Sequence, residues 1–104
     1  MITKKKTDAM KFLEKAAGRP LTLGGLLESL RLSEEMSQIA FAKKLKISPS
    51  HLCDIEKGRK TVSAARAAHF AAALRRSEAQ FVRLALQDEV QRSGLKLKIS
   101  VRAA

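Results

Sequence analysis

Apolar residues recur at helical spacing in five successive segments between positions 23 and 90. In one of them the apolar positions are Ala67, Phe70, Ala71 and Leu74. Three or four residues apart is the spacing that places side chains on one face of an α-helix. A hydroxyl residue precedes each segment, and such side chains accept hydrogen bonds from the free N–H groups of a first helical turn. The pattern therefore predicts five helices, whose predicted N-caps are Thr22, Ser37, Ser48, Ser63 and Ser77.

The two ends of the chain follow other patterns. Residues 7–17 predict a further short helix, which Gly18 and Pro20 would end, after an arm formed by residues 1–6. Beyond Gly94 the sequence "LKLKISV" alternates strictly between apolar and polar residues, which predicts a β-strand. A single strand leaves its backbone groups unpaired, so we expect it to pair with a second copy across a two-fold axis. The residues of this predicted dimer strand are Leu95, Leu97, Ile99 and Val101.

Charge narrows the choice of partner. The 104 residues, enough for one domain, contain 21 Lys and Arg against 10 Asp and Glu, a formal net charge of +11. Such a balance favours a polyanion, with nucleic acid ahead of an anionic membrane surface. Four Phe with no Trp or Tyr offer little for stacking unpaired bases, which favours duplex DNA over single strands.

No apolar run suits a signal peptide or a membrane span, and one cysteine forms no intrachain disulfide, so we expect a cytoplasmic protein without membrane contact.

Residues 37–58 have the layout of two helices joined by a tight turn. The first predicted helix ends near Leu45, the turn is "KIS", and the second begins at Ser48. Ala42 is small enough for the two helices to cross closely, and Ile47 is an apolar residue suited to fill the gap between them. This is the helix-turn-helix arrangement, in which the second helix enters the major groove of DNA.

Two stretches, "MSQIAFAKKLKISPSHLCDIEKGRK" and "VSAARAAHFAAAL", resemble the Xre/Cro-type, phage-repressor-like helix-turn-helix domains. The resemblance runs from about Thr22 to Ser77. It implies a recognition helix over about 48–57 and a contact between Gln38 and DNA phosphate. It also implies an ion pair between Arg31 and Glu56.

The expected fold is all-α: a compact five- to six-helix repressor-like helix-turn-helix domain with one C-terminal β-strand. The expected parts are an N-terminal arm and short helix over 1–21, the DNA-binding domain over 22–76, and a C-terminal helix with the dimerisation strand over 77–104.

The exposed face of the predicted recognition helix supplies candidates for DNA contact. Asp54, for example, is able to accept a hydrogen bond from cytosine N4, and it repels phosphate. The alternative for the basic residues is an ordinary solvated surface. The candidates for base contact are Pro49, Ser50, His51, Cys53 and Asp54. The candidates for phosphate contact are Gln38, Lys57, Arg59, Lys60 and Thr61.

Other chemistries find little support in the residues. His51 and Cys53 are two apart on a helix and point in divergent directions, so we expect no metal and no cofactor. No pairing of carboxylates or of nucleophile and base suggests an enzyme. Cys53 is either a redox switch or a plain small residue. Ile39 lies where solvent is expected and would be covered by residues 9–17 or by a partner.

The predicted function is sequence-specific binding of double-stranded DNA by a bacterial or phage transcriptional regulator that acts as a two-fold dimer. One alternative is the antitoxin of a type II toxin–antitoxin pair, which binds its own operator and lends the strand to a toxin protein. Another is an interaction adaptor whose helix-turn-helix no longer binds DNA.

Overall fold

The computed structural model of the protein describes residues 21–104, which contain five helices. The predicted arm and the predicted helix over 7–17 lie outside the described residues, as do the residues proposed to cover Ile39. The helices are α1 (Leu23–Ser33), α2 (Gln38–Leu45), α3 (Pro49–Glu56), α4 (Ala64–Leu74) and α5 (Glu78–Arg92).

The five predicted N-caps are confirmed. In each case the hydroxyl oxygen accepts a hydrogen bond from the backbone N–H of the third helical residue. At α3, for example, Ser48 accepts from the N–H of His51 at 3.0 Å, and Pro49 occupies the first helical position, where no N–H is needed.

All five helices end in the same way, with a residue in the left-handed conformation. At the end of α3 the N–H of Gly58 donates to Ile55 O and the N–H of Arg59 donates to Asp54 O, which is the Schellman arrangement. Only two of the five helices use glycine for this position, so the other three accept backbone strain. The left-handed residues are Glu35, Lys46, Gly58, Arg75 and Gly94.

The core lies where the five helices meet. Its largest members are Phe41 from α2, Phe70 from α4 and Phe81 from α5, all buried. Leu27 of α1 and Leu52 of α3 complete the contact, so every helix contributes at least one large side chain. The predicted recognition helix, α3, therefore packs against the core with one of its sides.

Helix α1 approaches α3 unusually closely at Gly24. A Cβ atom placed on Gly24 would lie 2.1 Å from the carbonyl oxygen of Ile55, which is closer than atoms can pack. Glycine is required there because the neighbour is backbone and cannot move aside cheaply.

The predicted C-terminal strand is wrong: residues 95–104 adopt no regular secondary structure, and there is no strand in the described part of the chain. The segment instead lies along α5, where the amide of Gln87 takes the bonds that a sheet partner would make. Gln87 donates through Nε2 to Leu97 O at 2.9 Å and accepts through Oε1 from Ile99 N–H at 2.8 Å. Ile99 and Val101 are half-buried, whereas Leu95 and Leu97 are exposed. The alternating sequence therefore corresponds to an amphipathic extended segment. The dimer contact that we expected to form through a strand has no strand in this segment.

Candidate nucleic-acid interface

The turn between α2 and α3 sets the direction of α3. Lys46 takes a left-handed conformation with φ of 61°, and the N–H of Ile47 donates to Ala42 O at 3.0 Å. Ala42 is completely buried at this crossing. Leu52 and Ile55 of α3 face the core, which leaves the opposite side of α3 at the surface.

Behind α3, the carboxylate of Glu56 is enclosed by three donors. Arg31 Nε lies 2.9 Å from Oε2, Arg31 Nη2 lies 3.1 Å from Oε1, and Gln38 Nε2 lies 3.0 Å from Oε1. The Glu56 side chain is fully buried, and that of Arg31 is 12% exposed. Arg31 also donates to Met36 O at 3.1 Å. The hydrogen bonds to Glu56 and the charge of that carboxylate raise the pKa of Arg31.

The cluster of Arg31, Gln38 and Glu56 therefore joins α1, α2 and α3 around one buried charge. A buried carboxylate is tolerated when it is paired and its lone pairs accept hydrogen bonds, as they do here. Gln38, a candidate for phosphate contact, already uses one N–H on Glu56. Its amide nitrogen keeps a second N–H, so the contact with phosphate stays a prediction.

At the surface of α3, Asp54 is paired with basic residues of the loop that follows. Its Oδ1 lies 2.9 Å from Arg59 Nε, and its Oδ2 lies 3.8 Å from Lys60 Nζ. Arg59 Nη2 also lies 3.6 Å from Cys53 Sγ. The hydrogen bond to Asp54 raises the pKa of Arg59. The carboxylate proposed to face cytosine thus holds Arg59 in the DNA-free protein.

Most of the predicted contacts surround one shallow depression on the outer side of α2 and α3. The side chains that line it are those of Gln38, Pro49, Ser50, Cys53, Asp54 and Arg59. Lys57 is exposed nearby. Lys60 and Thr61 do not line this depression and instead border a second cavity of about 240 Å³, between α1 and α5. Arg92 of α5 donates to Gly58 O at the surface, which joins this loop to α5.

His51 contacts a residue that the sequence analysis missed, Arg66 of α4. Arg66 Nη1 lies 3.2 Å from Nδ1 and 3.4 Å from Nε2 of the imidazole. Burial, and then the charges of Arg66 and Lys60, lower the pKa of His51, while Asp54 acts in the opposite sense. The sequence contains one indication that Arg66 lies at the surface: Arg66 and His69 are the only polar side chains in "AARAAHFAAAL".

Among residues 21–104, no three His, Cys, Asp or Glu side chains are grouped so as to hold a metal ion. No helix in the same part of the chain is long and apolar enough to cross a membrane.

Comparison with known proteins gives one match. No curated protein and no solved structure matches the chain. The model of a helix-turn-helix domain family matches residues 22–84, which is more than half of the sequence and includes all of α1 to α4 and the start of α5. The protein therefore belongs to the helix-turn-helix domain family.

Proposed function

We propose that the protein is a sequence-specific transcriptional regulator that binds double-stranded DNA with α3 in the major groove. The observation that carries the proposal is the two-sided construction of α3. Its inner side is fixed by Leu52, Ile55 and the buried Glu56, while its outer side presents short polar groups beside basic residues. A rigid helix with a free polar face, in a family of helix-turn-helix domains, is suited to contact base edges.

The proposed division of roles follows from exposure and chemistry. Pro49 and Ser50 lie exposed at the N-terminal end of α3, the part of a recognition helix that meets base edges. His51, Cys53 and Asp54 follow on the same helix. The proposed phosphate contacts position the helix and carry no sequence information. They are Gln38, Lys57, Arg59, Lys60 and Thr61.

The exposed pair of Asp54 and Arg59 is proposed to open when DNA binds. Exposed ion pairs are weak, so a phosphate competes easily for the guanidinium. Once released, Asp54 would be free to accept from cytosine N4, and its charge would oppose binding where no such donor is offered. The pair would thereby convert part of the affinity into selectivity.

The same proposal includes two further parts. The protein binds a palindromic site as a dimer, and it acts in the cytoplasm of a bacterium or phage-infected cell. Helix-turn-helix modules commonly bind two half-sites about 34 Å apart, one turn of DNA. Sedimentation of the protein with a selected duplex would give the stoichiometry directly.

The experiment that tests the function is selection of duplexes from a random pool by the purified protein, followed by sequencing. A defined motif supports the proposal, and the adaptor alternative predicts no enrichment. The affinity should also fall with salt, by about 0.9 in log K per unit of log salt for each phosphate contact. Arg59→Ala should weaken all duplexes alike, with Arg102→Ala, an exposed arginine near the C-terminus, as the matched control.

A further inference from the structure

The contact between Arg66 and His51 has a particular geometry. Nη1 is nearly equidistant from the two ring nitrogens, at 3.2 and 3.4 Å. The Cε1 atom lies between those nitrogens, so a guanidinium nitrogen in the ring plane at these distances would collide with Cε1. Nη1 therefore lies over the face of the imidazole, outside the ring plane in which the two ring nitrogens form their strongest hydrogen bonds.

The surroundings of His51 disfavour a positive charge on its ring. Arg66 reaches it from α4 and Lys60 from the loop after α3, while Asp54 of α3 acts in the opposite sense. Asp54 is itself paired with Arg59 and lies near Lys60, which reduces its effect on the imidazole. His51 also lies in the first turn of α3, where the helix dipole opposes a cation. Consistently, burial and these cations lower the pKa of His51.

We propose that Arg66 is a positioning residue: it holds a neutral His51 with its ring edge toward DNA, and DNA binding allows His51 to take up a proton. This inference rests on the proposed function and deepens it by adding proton uptake and a residue of α4 to the interface. Phosphate groups that approach Arg66 and Lys60 compensate the charges that now oppose protonation. The charged imidazole then donates from both nitrogens, to a guanine edge or to phosphate.

The sign of the pH dependence follows from this coupling. His51 has a higher pKa in the complex than in the free protein, so the complex binds more protons between the two values. Affinity for DNA therefore rises as the pH falls through that interval, which begins below the usual histidine pKa of about 6.5 in the free protein. One proton limits the slope of log K to about 1 per pH unit.

The first test uses the free protein and needs no DNA. The two histidines, His51 and His69, are followed through a pH titration by NMR in wild type, Arg66→Gln and Arg66→Lys. Arg66→Gln removes the charge and should raise the midpoint of His51, whereas Arg66→Lys keeps the charge and should leave the midpoint low. A His51 midpoint that is the same in Arg66→Gln and wild type would overturn the proposal. Both residues are near the surface, so thermal melting should show that the variants fold.

The second test measures affinity for a fluorescent mixed-sequence duplex as a function of pH. Wild type and His69→Gln should bind several-fold more tightly as the pH falls, and His51→Gln should lose that dependence. An equal slope in His51→Gln would overturn the uptake of a proton at this residue. If wild type binds the duplex with an affinity that does not change with pH, proton uptake is refuted but the proposed function is not. Failure to bind any duplex at every pH would refute the proposed function as well.

Discussion

Glu56 and Asp54 lie two residues apart on α3, and each pairs with an arginine, but in opposite surroundings. Glu56 is buried and accepts from Arg31 and Gln38, whereas Asp54 is near the surface and accepts from Arg59, whose side chain is 59% exposed. A buried charge that loses its partner is costly, whereas an exposed one is solvated by water. The same ionic chemistry thus fixes the fold on one side of α3 and stays exchangeable on the other.

Removing the buried acid should have the largest effect. In Glu56→Ala, Arg31 and the Gln38 amide lose their acceptor while Arg31 remains largely enclosed. We expect the free energy of unfolding to fall by about 3–5 kcal/mol, measured by urea denaturation. Asp54→Ala is the matched control and should unfold nearly as wild type does. Equal losses in the two variants would contradict the contrast between the two carboxylates.

The inner side of α3 should also be sensitive to a single methyl group. In Gly24→Ala the added Cβ meets Ile55 O at 2.1 Å, so α1 and α3 must move apart. We expect a loss of about 1–3 kcal/mol in urea denaturation. Gly25→Ala, on the same helix, meets two side-chain atoms, the Thr22 hydroxyl at 3.2 Å and Leu21 Cδ1 at 3.9 Å, and no backbone atom, so it should change stability much less. A stable Gly24→Ala protein would mean that the two helices are not packed this closely.

The outer side should respond in binding and not in stability. Asp54→Asn removes a charge that repels phosphate and frees Arg59, so a mixed-sequence duplex should bind several-fold more tightly. The salt dependence of log K should stay close to that of wild type, because Arg59 contacts phosphate in both complexes. Unchanged binding would show that Asp54 does not restrain Arg59. The preference for the selected motif should weaken in the same variant.

The smallest effect is expected at the turn that aims α3. Lys46→Gly relieves the left-handed conformation but makes the unfolded chain more flexible, so we expect a net gain of at most about 1 kcal/mol in thermal or urea unfolding. Arg75→Gly makes the same exchange at the end of α4, remote from the turn. If both variants gain alike but only Lys46→Gly loses affinity for DNA, the charge at the turn contributes to binding.

Local signals explain what could be predicted from the sequence. The N-caps are predictable because the serine or threonine and the N–H group from which it accepts are only three residues apart. The ends of α1, α2 and α4 carry no glycine in the left-handed position, so their sequence signal was weaker than that of Gly58 or Gly94. The pairing of Arg31 with Glu56 came from the family resemblance, since 25 residues separate them along the chain.

Contacts between distant residues explain what was missed. The alternation of residues 95–101 predicts which side of the segment is apolar, but it does not predict whether a second strand pairs with it. The side chain that forms hydrogen bonds with this segment is the amide of Gln87, on α5. The closeness of Gly24 to Ile55, and of Arg66 to His51, depends on how helices cross. No pattern within one helix encodes those distances.

The most direct test of a two-sided α3 is to titrate isotope-labelled protein with a selected duplex and map the backbone amide shifts by NMR. We expect large shifts to concentrate in residues 48–61, around Gln38 and near Arg66. Shifts along α5 and residues 95–101 should be small. Large shifts along α5 and residues 95–101, with α3 unperturbed, would contradict the assignment of α3 as the helix that contacts DNA.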